Sequence, residues 1–281
     1  TDIDNTRVMA TEAEAVKRVG ENFLQLLKDP LLAQKLLFSD DLMERLYKST
    51  TFMPYVNELA KLVGSTVENI IAQSGDRDRV IRILEVGAGT GVLTREVLKK
   101  LDGKANYKYI FTDISQKFLK DAQQLFPDHA NIEYKLFNLN KDIEAQGIES
   151  KSIDIVLAFN VLHITADVNL ALTQIKHLLV PNGLFMAMEP TRPGVWFNMY
   201  FGLFREWWGF TDVETRPKHC ALTRDGWTQA LEKQGFNNVS VATDTDEVCH
   251  SIIVAQAQGA SYETKQEHAN DHANGEPNGV A

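Results

Sequence analysis

Apolar positions in this chain change their period near residue 80. Before that point they recur at helical spacing. Val16, Val19, Phe23, Leu26 and Leu27 share one face. Thr11-Glu-Ala-Glu14 reads as a capping box that opens this helix, and Asp29-Pro30 ends it. Further helices are expected over 39–47 and 55–73, then a polar linker from Ser74 to Arg79. Beyond the linker, β-branched runs alternate with amphipathic segments: strands at 80–86, 107–113, 132–137, 153–159 and 184–189, helices at 90–101, 116–126 and 167–179. Thr223 caps a last helix stopped by Gly235, and strands over 238–243 and 250–256 follow. Such alternation predicts an α/β fold: a Rossmann-like, doubly wound, seven-stranded, mostly parallel sheet. It comes with a helical N-terminal lid (1–75), a core (80–258) with an aromatic-rich insert before the last helix (190–223), and a disordered tail (259–281).

In an open sheet of this kind the ligand lies outside the carboxyl ends of the strands. Each strand here ends on polar residues. The first runs into Glu85-Val-Gly87-Ala-Gly89-Thr-Gly91, whose glycines allow a tight turn and close approach to a ligand. The spacing is G-x-G-x-G, and residue 92 is valine, so a dinucleotide pyrophosphate loop is not called for. Asp113 closes the second strand, 22 residues after Gly91. As an acceptor-only group it can take both ribose hydroxyls of an adenosine, with Ile114 beside it. The alternative for Asp113 is an N-cap of the next helix, although Ser115 is better placed for that. Asn138 ends the third strand and can meet the adenine amine, with Phe137 or Leu139 against the ring; it is also a common turn residue. Glu85 can hold an amino group or hydrogen-bond the glycine loop, and both roles are compatible.

The fourth strand runs into Asn160-Val-Leu-His163 and the fifth ends on Glu189-Pro-Thr-Arg192. Adjacent strand ends place His163 and Glu189 on the rim of the glycine loop, where Asn160 also belongs. A neutral imidazole suits proton removal near neutrality, and a carboxylate on its far nitrogen fixes the tautomer. No serine or cysteine stands in a nucleophile-elbow context. His129, His177, His219 and His250 lack such a partner in this reading and are expected to be structural or solvated; His268 and His272 fall in the tail. Arg192 and Arg205 are either surface cations or partners for an enolate or carboxylate.

Composition narrows the field. There are 38 acidic and 29 basic residues, a formal net charge of −9, which disfavours nucleic acid as a partner. No apolar run reaches membrane-spanning length; 195–204 is too short. Two cysteines, Cys220 and Cys249, without metal spacing point to a reduced, cytoplasmic setting and to no metal site. The chain begins at Thr1 and is expected to be a processed or excised product, either a discrete trans-acting enzyme or a terminal fragment. The aromatic run of Trp196, Phe197, Tyr200, Phe201, Phe204, Trp207, Trp208 and Phe210 reads as packing or as an apolar lid over a greasy substrate.

The E-x-G-x-G-x-G run after a first strand resembles motif I of class I methyltransferases, which use S-adenosylmethionine (SAM). Ile83 to Gly91, Phe111-Thr-Asp-Ile-Ser115, Asn160-Val-Leu-His163, Glu189, Phe201-Gly-Leu-Phe-Arg-Glu-Trp-Trp-Gly209 and Leu222-Thr-Arg-Asp-Gly-Trp227 together resemble the C-methyltransferase domains of fungal polyketide synthases. The resemblance covers about 80–256. It implies SAM as cofactor, bound by Glu85, Gly87, Gly89, Gly91, Asp113, Ile114, Asn138, Leu139 and Asn160. It also implies methyl transfer to the α-carbon of a polyketide-like β-keto thioester, carrier-bound or free, with a polyketide synthase as possible partner. The family's His–Glu dyad maps onto His163 and Glu189. An aspartate is usual in that family where Asn138 stands. The alternative is an O-methyltransferase acting on a hydroxyl or carboxyl of a small secondary metabolite; a non-catalytic SAM-fold partner is a third reading.

Overall fold

The computed structural model describes residues 10–29, 31–38, 40–49, 51–103, 106–192, 194–243 and 249–259, the side chains of Gln34 and Trp196 excepted. The expected tail, with His268 and His272, lies outside them, as do Pro30 and Ser39.

Five helices precede the sheet: α1 (Ala10–Glu21), α2 (Phe23–Leu26), α3 (Leu31–Phe38), α4 (Leu42–Tyr47) and α5 (Met53–Ser74). Three differences from the sequence reading have local causes. The helix α1 starts before Thr11, so no capping box forms; Glu14 instead pairs with Arg18 and with Arg45 of α4, the latter at 2.9 Å. Helix α3 was not expected, because Leu31, Leu32, Leu36, Leu37 and Phe38 put apolar residues on most of its sides, masking the period. Helix α5 begins earlier than residue 55 because Pro54 sits in its first turn, where a missing N–H costs nothing.

The core elements are β1 (Ile81–Val86), α6 (Val92–Leu101), β2 (Tyr107–Asp113), α7 (Gln116–Leu125), β3 (Ile132–Leu136), β4 (Ile153–Phe159), α8 (Val168–Leu178), β5 (Leu179–Pro190), α9 (Val195–Phe201), α10 (Arg224–Lys233), β6 (Phe236–Ala242) and β7 (His250–Ala257). The seven strands form one sheet in the order β3-β2-β1-β4-β5-β7-β6. All pairs among β1 to β5 are parallel, and β7 is antiparallel to both β5 and β6. This is the Rossmann-like, mostly parallel arrangement that the alternation of elements predicts. Strand order reverses between β1 and β4, and an open α/β sheet opens its ligand crevice at that point.

Two apolar cores flank the sheet. On one face Ile81, Ile83, Ile155, Leu157, Met186 and Met188 meet α5, α6, α7 and the N-terminal helices. On the other, Leu84, Val86, Val156, Phe185 and Ile253 meet α8 and α10. Successive strand residues thus serve opposite cores, as the two-residue period requires. Thr223 caps α10 by accepting from the Gly226 amide at 3.1 Å. Among the described residues no helix is long and apolar enough to cross a membrane.

Candidate active site

The turn after β1 is built from three glycines in left-handed backbone: Gly87 (φ 60°), Gly89 (φ 53°) and Gly91 (φ 69°). The last of these is why α6 starts at Val92 and not at residue 90. A Cβ on Gly87 would lie 2.4 Å from Cγ2 of Val161, so this glycine lets the β1 loop pack against the β4 loop. A Cβ on Gly89 would meet nothing closer than 3.8 Å, which leaves open space over the loop. The Gly89 amide donates to Asp113 Oδ2 at 3.0 Å, and Ser115 N donates to Oδ1 at 2.8 Å. Asp113 therefore joins the ends of β1 and β2 while keeping a lone pair on each oxygen. Burial raises its pKa, and the backbone donors partly offset this. Ser115 precedes α7 but makes no side-chain cap bond. Beside Asp113, Ile114 is 72% exposed, an apolar side chain with nothing packed over most of it.

Glu85 is fully buried. Its Oε2 accepts from Thr94 of α6 and from Tyr109 of β2, the latter at 2.6 Å, while Oε1 is buried without a partner. The expected bond from Glu85 to the glycine loop is absent; Asp113 makes it. Desolvation pushes Glu85 up to about 7. A carboxyl raised in the folded state stabilises the fold below its unfolded pKa, and that stability is lost as pH rises through the folded one. Wild type is expected to lose on the order of 3 kcal/mol between about pH 4.5 and pH 7 relative to Glu85→Gln. Parallel denaturant titrations of the two proteins across that window measure it; superimposable pH profiles would contradict it.

At the β3 end, Asn138 Oδ1 accepts from the Asn140 amide at 2.9 Å, a turn bond, and its own amide donates to Gln146 at 2.8 Å. Among the described residues its side-chain NH2 makes no hydrogen bond, and Leu139 beside it is buried. Asn160 at the β4 end adopts φ 52°, a conformation that asparagine tolerates better than most residues, and its Oδ1 is buried without a partner.

His163 and Glu189 are joined at 2.7 Å between Nδ1 and Oε2. The same carboxylate accepts three backbone amides: Val161 (2.9 Å) and Leu162 (2.7 Å) on Oε1, His163 (3.3 Å) on Oε2. An ionised carboxylate only accepts, so Nδ1 carries the proton and Nε2 keeps its lone pair. Among the described residues Nε2 has no hydrogen-bond partner. Both side chains are buried, at 6% and 0% exposure.

Walls close on this pair from both inserts. Trp207 meets the His163 ring edge-on at 5.2 Å. Phe159 touches Tyr47 of α4 at 5.7 Å and Phe52 at 6.4 Å. The Tyr47 hydroxyl is pushed up to about 12 by burial and then by the Glu189 charge. Within the aromatic run, Phe197, Tyr200 and Trp207 are buried, whereas Trp208 is 56% exposed.

Arg192 and Arg205 are both exposed. Among the described residues the buried cation is Arg216, which sequence reasoning missed. Its guanidinium donates to the carbonyls of His163 (2.9 Å), Thr165 (2.8 Å) and Ala166 (3.2 Å), and to Asp212 at 2.7 Å. Asp212 also accepts the Val168 amide at 3.1 Å. The loop from His163 to α8 is thus held by one ion pair. No spacing in the sequence marks it, since the carbonyls it binds carry no residue identity. The other histidines take structural or surface positions. His219 bonds Asn198 Oδ1 at 2.8 Å, His129 lies 4.0 Å from Asp102, and His250 is 1% exposed among aromatic rings. Among the described residues no group of histidine, cysteine and carboxylate side chains is arranged to hold a metal.

A family profile described as "Methyltransferase domain" matches residues 84–185. The chain is 33% identical over 237 residues to the highly reducing polyketide synthase easB of Emericella nidulans, covering 82% of this chain and 9% of that protein. It therefore spans about a tenth of the length of such relatives. Among solved structures, the CurJ carbon methyltransferase is 31% identical with a TM-score of 0.77, over 92% of this chain and 69% of that one. The trans-methyltransferase CalH, solved in complex with SAH, is 29% identical with a TM-score of 0.74, over 89% of this chain and 68% of that one. Sheet order, glycine loop and these likenesses agree: the chain belongs to the class I SAM-dependent methyltransferases, in the family of polyketide synthase carbon-methyltransferase domains.

Proposed function

We propose that this protein methylates the α-carbon of a β-ketoacyl thioester, a polyketide-like substrate carried by a synthase or its carrier protein, with SAM as methyl donor. The observation that carries this reading is the His163–Glu189 pair, whose carboxylate is held by three backbone amides.

The residues present fit the donor. The open space over Gly89, the spare lone pairs of Asp113, exposed Ile114, the Asn138 amide with Leu139, and the unpartnered oxygens of Glu85 and Asn160 together supply a cradle, acceptors for hydroxyl and ammonium groups, and an apolar surface for a base. Gly87 and Gly91 set the loop's shape. When bound, SAM supplies an electrophilic methyl group to the substrate carbanion.

The chain's own residues prepare that carbanion. His163 Nε2 takes the α-proton. The resulting imidazolium is stabilised by Glu189, whose four hydrogen bonds hold it aimed at Nδ1. Positioning contributes the larger share, since a base fixed beside its proton acts at high effective molarity. Residues 1–75 and 190–223 act as lids: Tyr47, Phe52, Phe197 and Trp207 exclude water, which strengthens the dyad's electrostatics.

Incubation with acetoacetyl-N-acetylcysteamine and methyl-labelled SAM tests this directly. The label is expected on the α-carbon in the product NMR spectrum. A label on oxygen would replace carbon transfer by the hydroxyl or carboxyl methylation considered above.

A further inference from the structure

His250 opens β7 and pairs in register with Pro190, one residue past Glu189 on β5. It is 1% exposed, and its Nε2 is buried without a hydrogen-bond partner. Rings surround it: Phe52 at 5.0 Å, Phe197 at 5.5 Å and Tyr55 at 6.3 Å. Phe197 also meets Trp207 at 5.5 Å, and Trp207 meets His163. The two imidazoles thus stand on one aromatic wall, on the end of β4 and the start of β7 with β5 between them. An imidazole nitrogen shut away from water and unpaired is destabilising in an empty fold. Buried polar atoms of this kind call for an explanation, and a ligand oxygen provides one.

We propose that His250 is a second catalytic group of this site, donating a hydrogen bond from Nε2–H to the substrate carbonyl oxygen on which enolate charge develops. The assignment rests on the carbon-methylation reading above. In the step, the α-C–H bond breaks and its proton goes to His163 Nε2. The electron pair moves to the carbonyl oxygen, where His250 holds it by a hydrogen bond without giving up its proton. The pair returns as the new carbon–carbon bond forms to the donor's methyl, whose bond to sulfur breaks with its electrons left on sulfur, so that the donor departs as a neutral thioether. Burial, with a smaller contribution from the His163 charge, pushes His250 down to about 3, so it stays neutral and does not compete as a base. A neutral histidine polarising a carbonyl beside a separate base is an established division of labour.

The test uses acetoacetyl-N-acetylcysteamine with three variants, His250→Phe and His250→Leu, which lack a donor, and His250→Gln, which keeps one. Two rates are read: α-proton exchange into D2O without SAM, above the uncatalysed background, and methylation with SAM. Both are expected to fall together by roughly 100-fold in the Phe and Leu variants, with SAM affinity unchanged, and to recover in part in the Gln variant. Thermal melts identify any variant that does not fold. If only one donor-less variant folds, it must still fall below the Gln variant. Exchange and methylation within twofold of wild type, or a loss confined to SAM affinity, would overturn the role of His250 alone. A wild-type enzyme that neither exchanges the α-proton nor methylates carbon would overturn the underlying reading, and this proposal with it.

Discussion

Replacing His163 by alanine or glutamine is expected to lower turnover by about a thousandfold, within the range that a positioned general base contributes. SAM affinity should stay within about twofold, because the glycine loop and Asp113 lie on other strands. Equilibrium binding and single-turnover methylation measure the two separately. Glu189→Gln should cost nearly as much for a different reason. An amide in that position presents one oxygen where Val161, Leu162, His163 and the imidazole donate to two, so a donor meets a donor. Near-wild-type turnover in His163→Ala would remove the base assignment and leave the pair a structural clasp.

Arg216→Leu should produce the largest loss of stability. The side chain is fully buried and its partner Asp212 nearly so. Removing the cation strands the Asp212 charge and leaves the carbonyls of His163, Thr165 and Ala166 without their donor, a loss of about 3–5 kcal/mol. For a domain of this size that corresponds to a fall in Tm of about 10 °C. Arg216→Lys keeps the charge but not the planar fork, and should recover only part. The Phe210 ring, 5.2 Å from the guanidinium, adds a contact that a lysine exploits less well. A melting curve for Arg216→Leu within two degrees of wild type would contradict this account.

The legibility of this chain varied with the range of the interactions involved. Strands β1, β2 and β4 were readable because β-branched and aromatic runs buried on both faces need no partner to declare themselves. The glycine loop was readable because left-handed backbone at three positions requires the residue itself. The N-terminal helices were not, beyond their helical character. Glu14 looked like a cap and became an ion-pair hub, since Arg45 comes from 31 residues away. His250 read only as structural or solvated because its partners are remote in sequence: its neighbours in space are Phe52, Tyr55 and Phe197. Arg216 was passed over for Arg192 and Arg205 because exposure is set by the fold and not by residue type.

The amino-acid sequence by itself determined the alternation of elements, the left-handed turn after β1, and which polar residues end each strand. These follow from backbone sterics and from periodicity, which act within a few residues. Tertiary structure alone decided that one carboxylate would gather three amides and an imidazole, that Asp113 rather than Glu85 would hold the glycine loop, and that a buried arginine would hold the turn after His163. Those outcomes depend on hydrogen-bond geometry between segments brought together only when the sheet closes, and desolvation then makes each bond hard to give up.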